Sequence, residues 1–185
     1  MVGAVIAIDG GEYRILRLLG KGKGGYSYLA GGPQGQVVVK QIHHEPCSYY
    51  QFGDKLAAEL HDYERLLAAG VPVPRLLAVD REKERLVKEY IPGETVYELV
   101  LADRAQPEWV EQMEILCRRL YAVGLNIDYF PTNFIPHGGV LWYVDYECNE
   151  YQEQWDFQHW GVKYWSKTPE LLDHARNTRG PDDGK

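Results

Sequence analysis

LGKGKGGYSYLAGGPQGQVVVK, residues 19–40, is the stretch on which the fold turns. Gly20, Gly22 and Gly25 satisfy a GxGxxG spacing. In a dinucleotide-binding fold those glycines follow a strand and open a helix. Here Tyr26-Ser27-Tyr28-Leu29-Ala30 reads as a strand, GGPQGQ as a turn, and Val37-Val38-Val39 as a β-branched strand ending on Lys40. Between antiparallel strands the same glycines make a flap whose amides can approach phosphates, because no side chain stands in the way. Taken alone, the motif also describes a plain flexible hairpin.

Upstream, Val5-Ile6-Ala7-Ile8, the turn signal Asp9-Gly10-Gly11 and the run Tyr13 to Leu19 extend the pattern into an antiparallel meander. Downstream, Leu56, Leu60, Tyr63 and Leu67 recur at helical spacing and predict a helix over 53–69, with Gly70 as its stop. Pro72 and Pro74 force an extended segment, 75–79 and 85–91 read as strands, and Pro92-Gly93 breaks the chain. A second helix is predicted over 107–123, with Trp109, Met113, Leu116, Leu120 and Val123 on one face. The segment to Phe134 reads as a loop, 140–146 as a short strand, and Phe157, Trp160 and Tyr164 as a last helix. The expected architecture is α+β in two lobes. Residues 1–90 form an antiparallel sheet with one main helix, 91–176 a reduced and mainly helical lobe, and 177–185 a polar disordered tail.

A chain of 185 residues with 45% hydrophobic content is too short for a large multidomain enzyme. Its net charge of −7 and pI near 5.4 speak against direct nucleic-acid binding, which needs a basic face. Cys47, Cys117 and Cys148 are far apart and form no CxxC pair, so neither a zinc site nor a disulfide framework is supported. The start, MVGAVIAIDGG, lacks the basic region of a signal peptide and meets acidic and glycine residues too early for one, and no apolar run reaches membrane-spanning length. A cytoplasmic protein with no membrane partner is expected.

Three constellations carry chemistry. The glycine flap is the first. The second is Lys40 with Glu59, which a helical wheel places beside Tyr63 and Leu66 on the shoulder of the buried stripe. A carboxylate there needs a partner, and Lys40 would satisfy it while presenting its ammonium to the α- and β-phosphates of a nucleotide. Glu64 is the fallback partner. The third is Asn126-Ile127-Asp128-Tyr129-Phe130-Pro131-Thr132-Asn133, followed by Asp145 in Tyr143-Val144-Asp145-Tyr146-Glu147. Phosphoryl transfer needs a carboxylate to orient the attacking hydroxyl and oxygen ligands for Mg²⁺. Asp128 suits the first role, and Asn133 and Asp145 the second. Each constellation also has a plain reading, as surface charges or as turn-forming residues around a proline. Their order along the chain is what favours the chemical one.

With these residues in that order, the chain resembles the protein-kinase-like superfamily over 13–165. LGKGKGGYSYLA is similar to its glycine loop, with Ser27 at the place of an apolar residue that normally roofs the adenine. AELHDYERLLAAGVPVPRLLA, residues 58–78, resembles the region after the helix glutamate in atypical RIO kinases and selects Glu59 over Glu64. Lys88-Glu89-Tyr90-Ile91-Pro92-Gly93 resembles the hinge of RIO, Bud32-like and aminoglycoside-phosphotransferase-like kinases, which implies that backbone groups of Glu89 and Ile91 bind the adenine edge. Asp145-Tyr146-Glu147 is similar to the Asp-x-Glu of choline kinases and aminoglycoside phosphotransferases. The resemblance implies ATP and Mg²⁺ as cofactors and phosphoryl transfer to a hydroxyl of a small molecule or protein. Gly20, Gly22, Gly25 and Lys40 hold the phosphates, Asn133 and Asp145 the metal, and Asp128, Lys40 and Glu59 are catalytic. Asn126 stands where these families have histidine, and that departure, with Ser27 and the short second lobe, motivates the alternative of a pseudokinase-like scaffold. Asp156 falls where an aspartate often buttresses the catalytic loop. The aromatic and acidic run 142–165 suggests either a site for an amine-bearing acceptor or the core of the small lobe.

Overall fold

A computed structural model describes residues 1–45 and 53–178. Cys47 and the residues after Thr178 lie outside the described range. The chain divides into two compact units. One holds the described residues up to His61 together with Pro74–Ile91, and the other holds Asp62–Val73 and the described residues from Pro92 onward. The single boundary drawn near residue 90 therefore misses the segment 62–73, which belongs to the second unit.

The first unit is built on a sheet of β1 (Val5–Ile8), β2 (Gly11–Lys21), β3 (Gly25–Gly32), β4 (Gly35–Ile42), β5 (Leu76–Asp80) and β6 (Arg85–Glu89). Its order is β1-β2-β3-β4-β6-β5, with every pairing antiparallel. The first four strands form the predicted meander. Asp9 and Gly10 both take positive φ, 49° and 77°, as a two-residue hairpin twisted like its strands requires. Val37, Val38 and Val39 are all buried because β4 is central and both its faces are covered. Val37 and Val39 join Ile8, Tyr13, Ile15, Ala30, Ala78 and Val87 in a core on one face. Each such side chain contributes about 1.5–3 kcal/mol of burial.

The helix α1 spans Lys55–Ala68, and the division between units falls within it, after His61. Asp54 accepts the amide of Ala57 at 2.8 Å and caps its first turn. Its buried positions are Lys55, Leu56, Glu59 and Leu66, while Leu67 is 50% exposed. The buried stripe thus runs through the glutamate and not through Leu60 and Leu67 as the apolar spacing suggested.

In the second unit, α2 (Val96–Leu101) opens with a capping box, in which Thr95 accepts from the Glu98 amide and Glu98 accepts from the Thr95 amide. The predicted second helix is α3 (Pro107–Ala122), which buries Trp109, Met113, Leu116, Cys117 and Leu120. Val123 follows it and is exposed, contrary to its place on the predicted face. The predicted loop contains β7 (Leu125–Ile127), a 3-10 turn at Pro131–Asn133 and the start of β8 (Phe134–His137), which pairs with β9 (Val140–Tyr143). β10 (Cys148–Glu150) pairs with β7. The helix expected on Phe157, Trp160 and Tyr164 is a π-turn over Phe157–Gly161 followed by a 3-10 turn over Val162–Tyr164. A further helix, α4 (Pro169–Thr178), covers Asn177 and Thr178, where the tail was expected to begin. Tyr129, Phe134, Tyr143, Phe157 and Trp165 pack ring against ring in the core of this unit. No helix among the described residues is long and apolar enough to cross a membrane.

Candidate active site

The cationic constellation lies in the first unit. Ser27, Lys40 and Leu86 are opposite one another on β3, β4 and β6, and Gly20 on β2 faces Ser27, so these residues form one row across the sheet. Strand alternation sends Lys40 to the face opposite the Val37–Val39 core. There its Nζ meets Glu59 Oε1 at 2.7 Å, with the two side chains 12% and 8% exposed. Glu64, the fallback, is exposed. Arg75 donates to the Glu89 carboxylate at 3.3 Å from both its amide and its Nε, and Ile91 is buried.

The glycines divide by cause. A Cβ on Gly20 or Gly22 would meet open space or nothing closer than 4.0 Å. On Gly24 it would come within 3.9 Å of Lys40 Nζ, so this glycine keeps clear the space above the ammonium. Gly25 is glycine for a different reason. A Cβ there would sit 2.5 Å from the backbone oxygen of Gln41, on the strand that Gly25 pairs with. The turn is pinned on its other side. His43 Nε2 lies 3.1 Å from the Gly22 oxygen, and the His43 amide donates to the Gly24 oxygen at 3.3 Å. Lys21 and Tyr26 donate to the two oxygens of Glu45 at 2.6 and 2.5 Å, and these bonds hold that carboxyl down to about 2.

The acidic constellation lies in the second unit. Asp128 accepts from the Phe130 amide at 3.0 Å, and Asn133 Nδ2 donates to the Asp128 oxygen at 3.3 Å. The Val144 amide donates to the Asn133 oxygen at 2.9 Å, which brings the end of the 3-10 turn against the residue before Asp145. Asp145 in turn accepts from the Tyr146 amide at 2.8 Å. Beneath these groups the buried Tyr143 hydroxyl donates to the Glu147 oxygen at 2.9 Å. Burial, and then the charges of Asp145, Asp128 and Glu147, push its phenol well above the ordinary range. Because the Asn133 amide nitrogen is committed to Asp128, its side-chain oxygen is the atom left to act as a ligand. An amide oxygen beside a carboxylate is a donor set that suits Mg²⁺, which takes one or two protein oxygens and fills its shell with water and phosphate.

Asn126 is buried, donates to the Gln152 oxygen at 2.9 Å, and accepts from the Tyr129 hydroxyl at 3.4 Å. It braces the loop from below and takes no part in the acidic surface. The side-chain hydrogen bonds of Asp156 lie elsewhere. It caps the π-turn through the His159 amide and ring, each at 2.8 Å, and accepts from Tyr151 at 3.0 Å. In the run 142–165, Tyr143, Tyr146, Phe157 and Trp165 are buried as core, which leaves Trp155 and Tyr151 as its exposed aromatics. Gly24 and His43 escaped notice in the sequence. Gly24 was readable in the glycine run, whereas nothing local marks His43.

No protein-family model and no curated protein matches the chain. Among solved structures, the BubR1 kinase domain is similar with a TM-score of 0.54 at 16% identity, over 83% of this chain and 53% of that one. The chain thus spans about half the length of that neighbour. Together with the curled antiparallel sheet and the helix-bearing second unit, the likeness defines an α+β, two-lobed protein-kinase-like fold.

Proposed function

We propose that the chain is a Mg²⁺-dependent phosphotransferase of the atypical kinase type, closest in kind to RIO, Bud32-like and aminoglycoside or choline phosphotransferase-like kinases. It moves the γ-phosphate of a nucleoside triphosphate, ATP on the hinge resemblance, to a hydroxyl of a small molecule or protein. The observation that carries this reading is the pairing of two unlike constellations in one chain. The first unit holds a buried Lys40–Glu59 pair under an open glycine turn, and the second holds an Asp128–Asn133–Asp145 cluster.

In this reading Glu59 fixes the Lys40 ammonium for the α- and β-phosphates, and the open turn at Gly20 and Gly22 admits the triphosphate. Asp128 orients the acceptor hydroxyl and takes its proton. Asn133 and Asp145 would hold Mg²⁺, which when bound neutralises charge on the phosphates. The net charge of −7 favours neutral or cationic acceptors over nucleic acid, and a cytoplasmic setting without a membrane partner fits it.

Consumption of ATP with Mg²⁺ across amino alcohols, aminoglycosides and generic protein acceptors tests the proposal. Asp128→Asn should lower turnover by about 10²–10⁴-fold with nucleotide affinity retained. Asp145→Asn should lower turnover and also weaken metal-dependent nucleotide binding. Nucleotide binding without turnover of any acceptor would favour the pseudokinase reading, which the substitution of Asn126 for histidine motivates.

A further inference from the structure

All four polar atoms of His43 are bonded, and two of those bonds end on the glycine turn. The His43 amide donates to the Gly24 oxygen at 3.3 Å, and Nε2 lies 3.1 Å from the Gly22 oxygen. The Glu45 amide donates to Nδ1 at 3.2 Å, and the buried Lys55 donates from its ammonium to the His43 carbonyl at 2.6 Å. These partners fix the state of the ring. A backbone N–H can only donate and a carbonyl oxygen can only accept, so Nδ1 is the acceptor and Nε2 carries the proton that goes to Gly22.

The side from which this bond pulls decides what the turn presents. Tyr26 and Gln41 are directly opposed on β3 and β4 and project to one face. Alternation along β4 gives Gln41 the face of Val37 and Val39 and puts Lys40 on the other. The His43 ring packs against Tyr26 with centroids 5.1 Å apart, on the side away from Lys40. The Gly22 carbonyl is therefore drawn away from the Lys40 face. The described residues contain no cis peptide, and across a trans peptide the N–H points opposite to the C=O. The Lys23 amide is thus turned toward the face that carries the ammonium. Gly22 has no side chain and accepts either orientation of that peptide at little steric cost. Flipped, the peptide would offer its carbonyl oxygen to an anion in place of a donor.

We infer that His43 is a positioning residue for the triphosphate, which holds the Gly22 oxygen so that the Lys23 N–H donates to a phosphate on the Lys40 face. The inference rests on the phosphotransferase reading of Lys40 and the glycine turn.

Equilibrium binding to the whole chain tests it without relying on turnover, by calorimetry for ATP and tripolyphosphate with Mg²⁺ and by NMR for adenosine. His43→Leu should weaken ATP and tripolyphosphate about tenfold, the scale of one lost amide-to-phosphate hydrogen bond, and leave adenosine unchanged. Glutamine carries one N–H donor group and one acceptor on the same side chain, so His43→Gln should keep most of the wild-type affinity for both polyphosphates. Undiminished ATP affinity in His43→Leu overturns the role of His43 and leaves the phosphotransferase reading standing. So does equal weakening of ATP and adenosine, or a loss in His43→Gln as large as that in His43→Leu. Nitrogen NMR of the wild-type ring decides the matter even where a variant does not fold, with the proton expected on Nε2, and a proton on Nδ1 alone overturns the assignment. Absence of ATP and tripolyphosphate binding to the wild type at millimolar concentration overturns both readings.

Discussion

The two units hold their candidate functional groups by different means. In the first unit charge is held by charge, since Lys40 is fixed by the carboxylate of Glu59 and both are largely withdrawn from water. In the second unit backbone amides take part in holding the carboxylates. Asp128 and Asp145 each accept from an amide one or two residues on, and Asn133 is tied on both sides by bonds that involve a main-chain atom. The difference separates function from stability. A buried ion pair carries its desolvation cost into the fold, so loss of one partner strands a charge. A side chain displayed on a backbone frame can change its chemistry while the frame stays, because the aromatic core beneath supports the frame.

The strongest test of that contrast is Glu59→Ala. It should destabilise the chain by about 3–5 kcal/mol, the usual cost of removing one member of a buried pair. Pairing it with Lys40→Met should recover much of the loss. Asp128→Asn, which keeps an oxygen for the Phe130 amide, should stay within about 1 kcal/mol of wild type. Urea unfolding of all variants reads the difference, and equal losses for Glu59→Ala and Asp128→Asn would abolish the distinction. A middle-sized effect is expected below the acidic frame. Asn126→Ala removes a buried donor from the Gln152 oxygen and an acceptor from the Tyr129 hydroxyl, and should cost about 1–3 kcal/mol in the same measurement.

The first unit was readable because its signals are local and periodic. Val37-Val38-Val39 announces a strand covered on both sides, and Asp9-Gly10 names its own turn. The Lys40–Glu59 contact could be read because a buried helical position occupied by a carboxylate requires a cation. The second unit was harder for a physical reason. β7, β8 and β10 are three or four residues long, and β7 and β10 pair across distant sequence, so no strand is long enough to show alternation. The π-turn at Phe157 borrows helical spacing without continuing as an α-helix. α2 was missed despite a readable cue, the Thr95-x-x-Glu98 capping box, because six residues give little periodicity. Asp128, Asn133 and Asp145 could be named from their chemistry. The hydrogen bonds that orient them run through main-chain atoms of neighbours, on which the sequence is silent.

The second unit also contains a brace held by charge, and its effect should be the smallest and the most dependent on pH. Burial of Asp156 opposes its ionisation, but the His159 amide and ring and the Tyr151 hydroxyl outweigh it and keep the carboxyl below its ordinary range. The same hydrogen bond, with the charge behind it, raises the His159 imidazole above its ordinary range. The two shifts act on opposite sides of a window. A depressed carboxylate contributes its full stabilisation above the unfolded value of about 4, and loses it as pH falls through the folded value. A raised imidazole contributes fully below about 6.5, and loses its share as pH climbs through the folded value above that. The melting-temperature difference between wild type and Asp156→Asn should therefore be greatest between roughly pH 4 and 6.5 and shrink on both sides. His159→Gln should remove the alkaline limb and spare most of the acid one, because the residue-159 amide and Tyr151 still bind the carboxylate. Since the His159 side chain is 55% exposed, added salt should flatten the alkaline limb first. An alkaline limb that persists in His159→Gln would assign it to some other group and leave Asp156 held by its amide and hydroxyl donors.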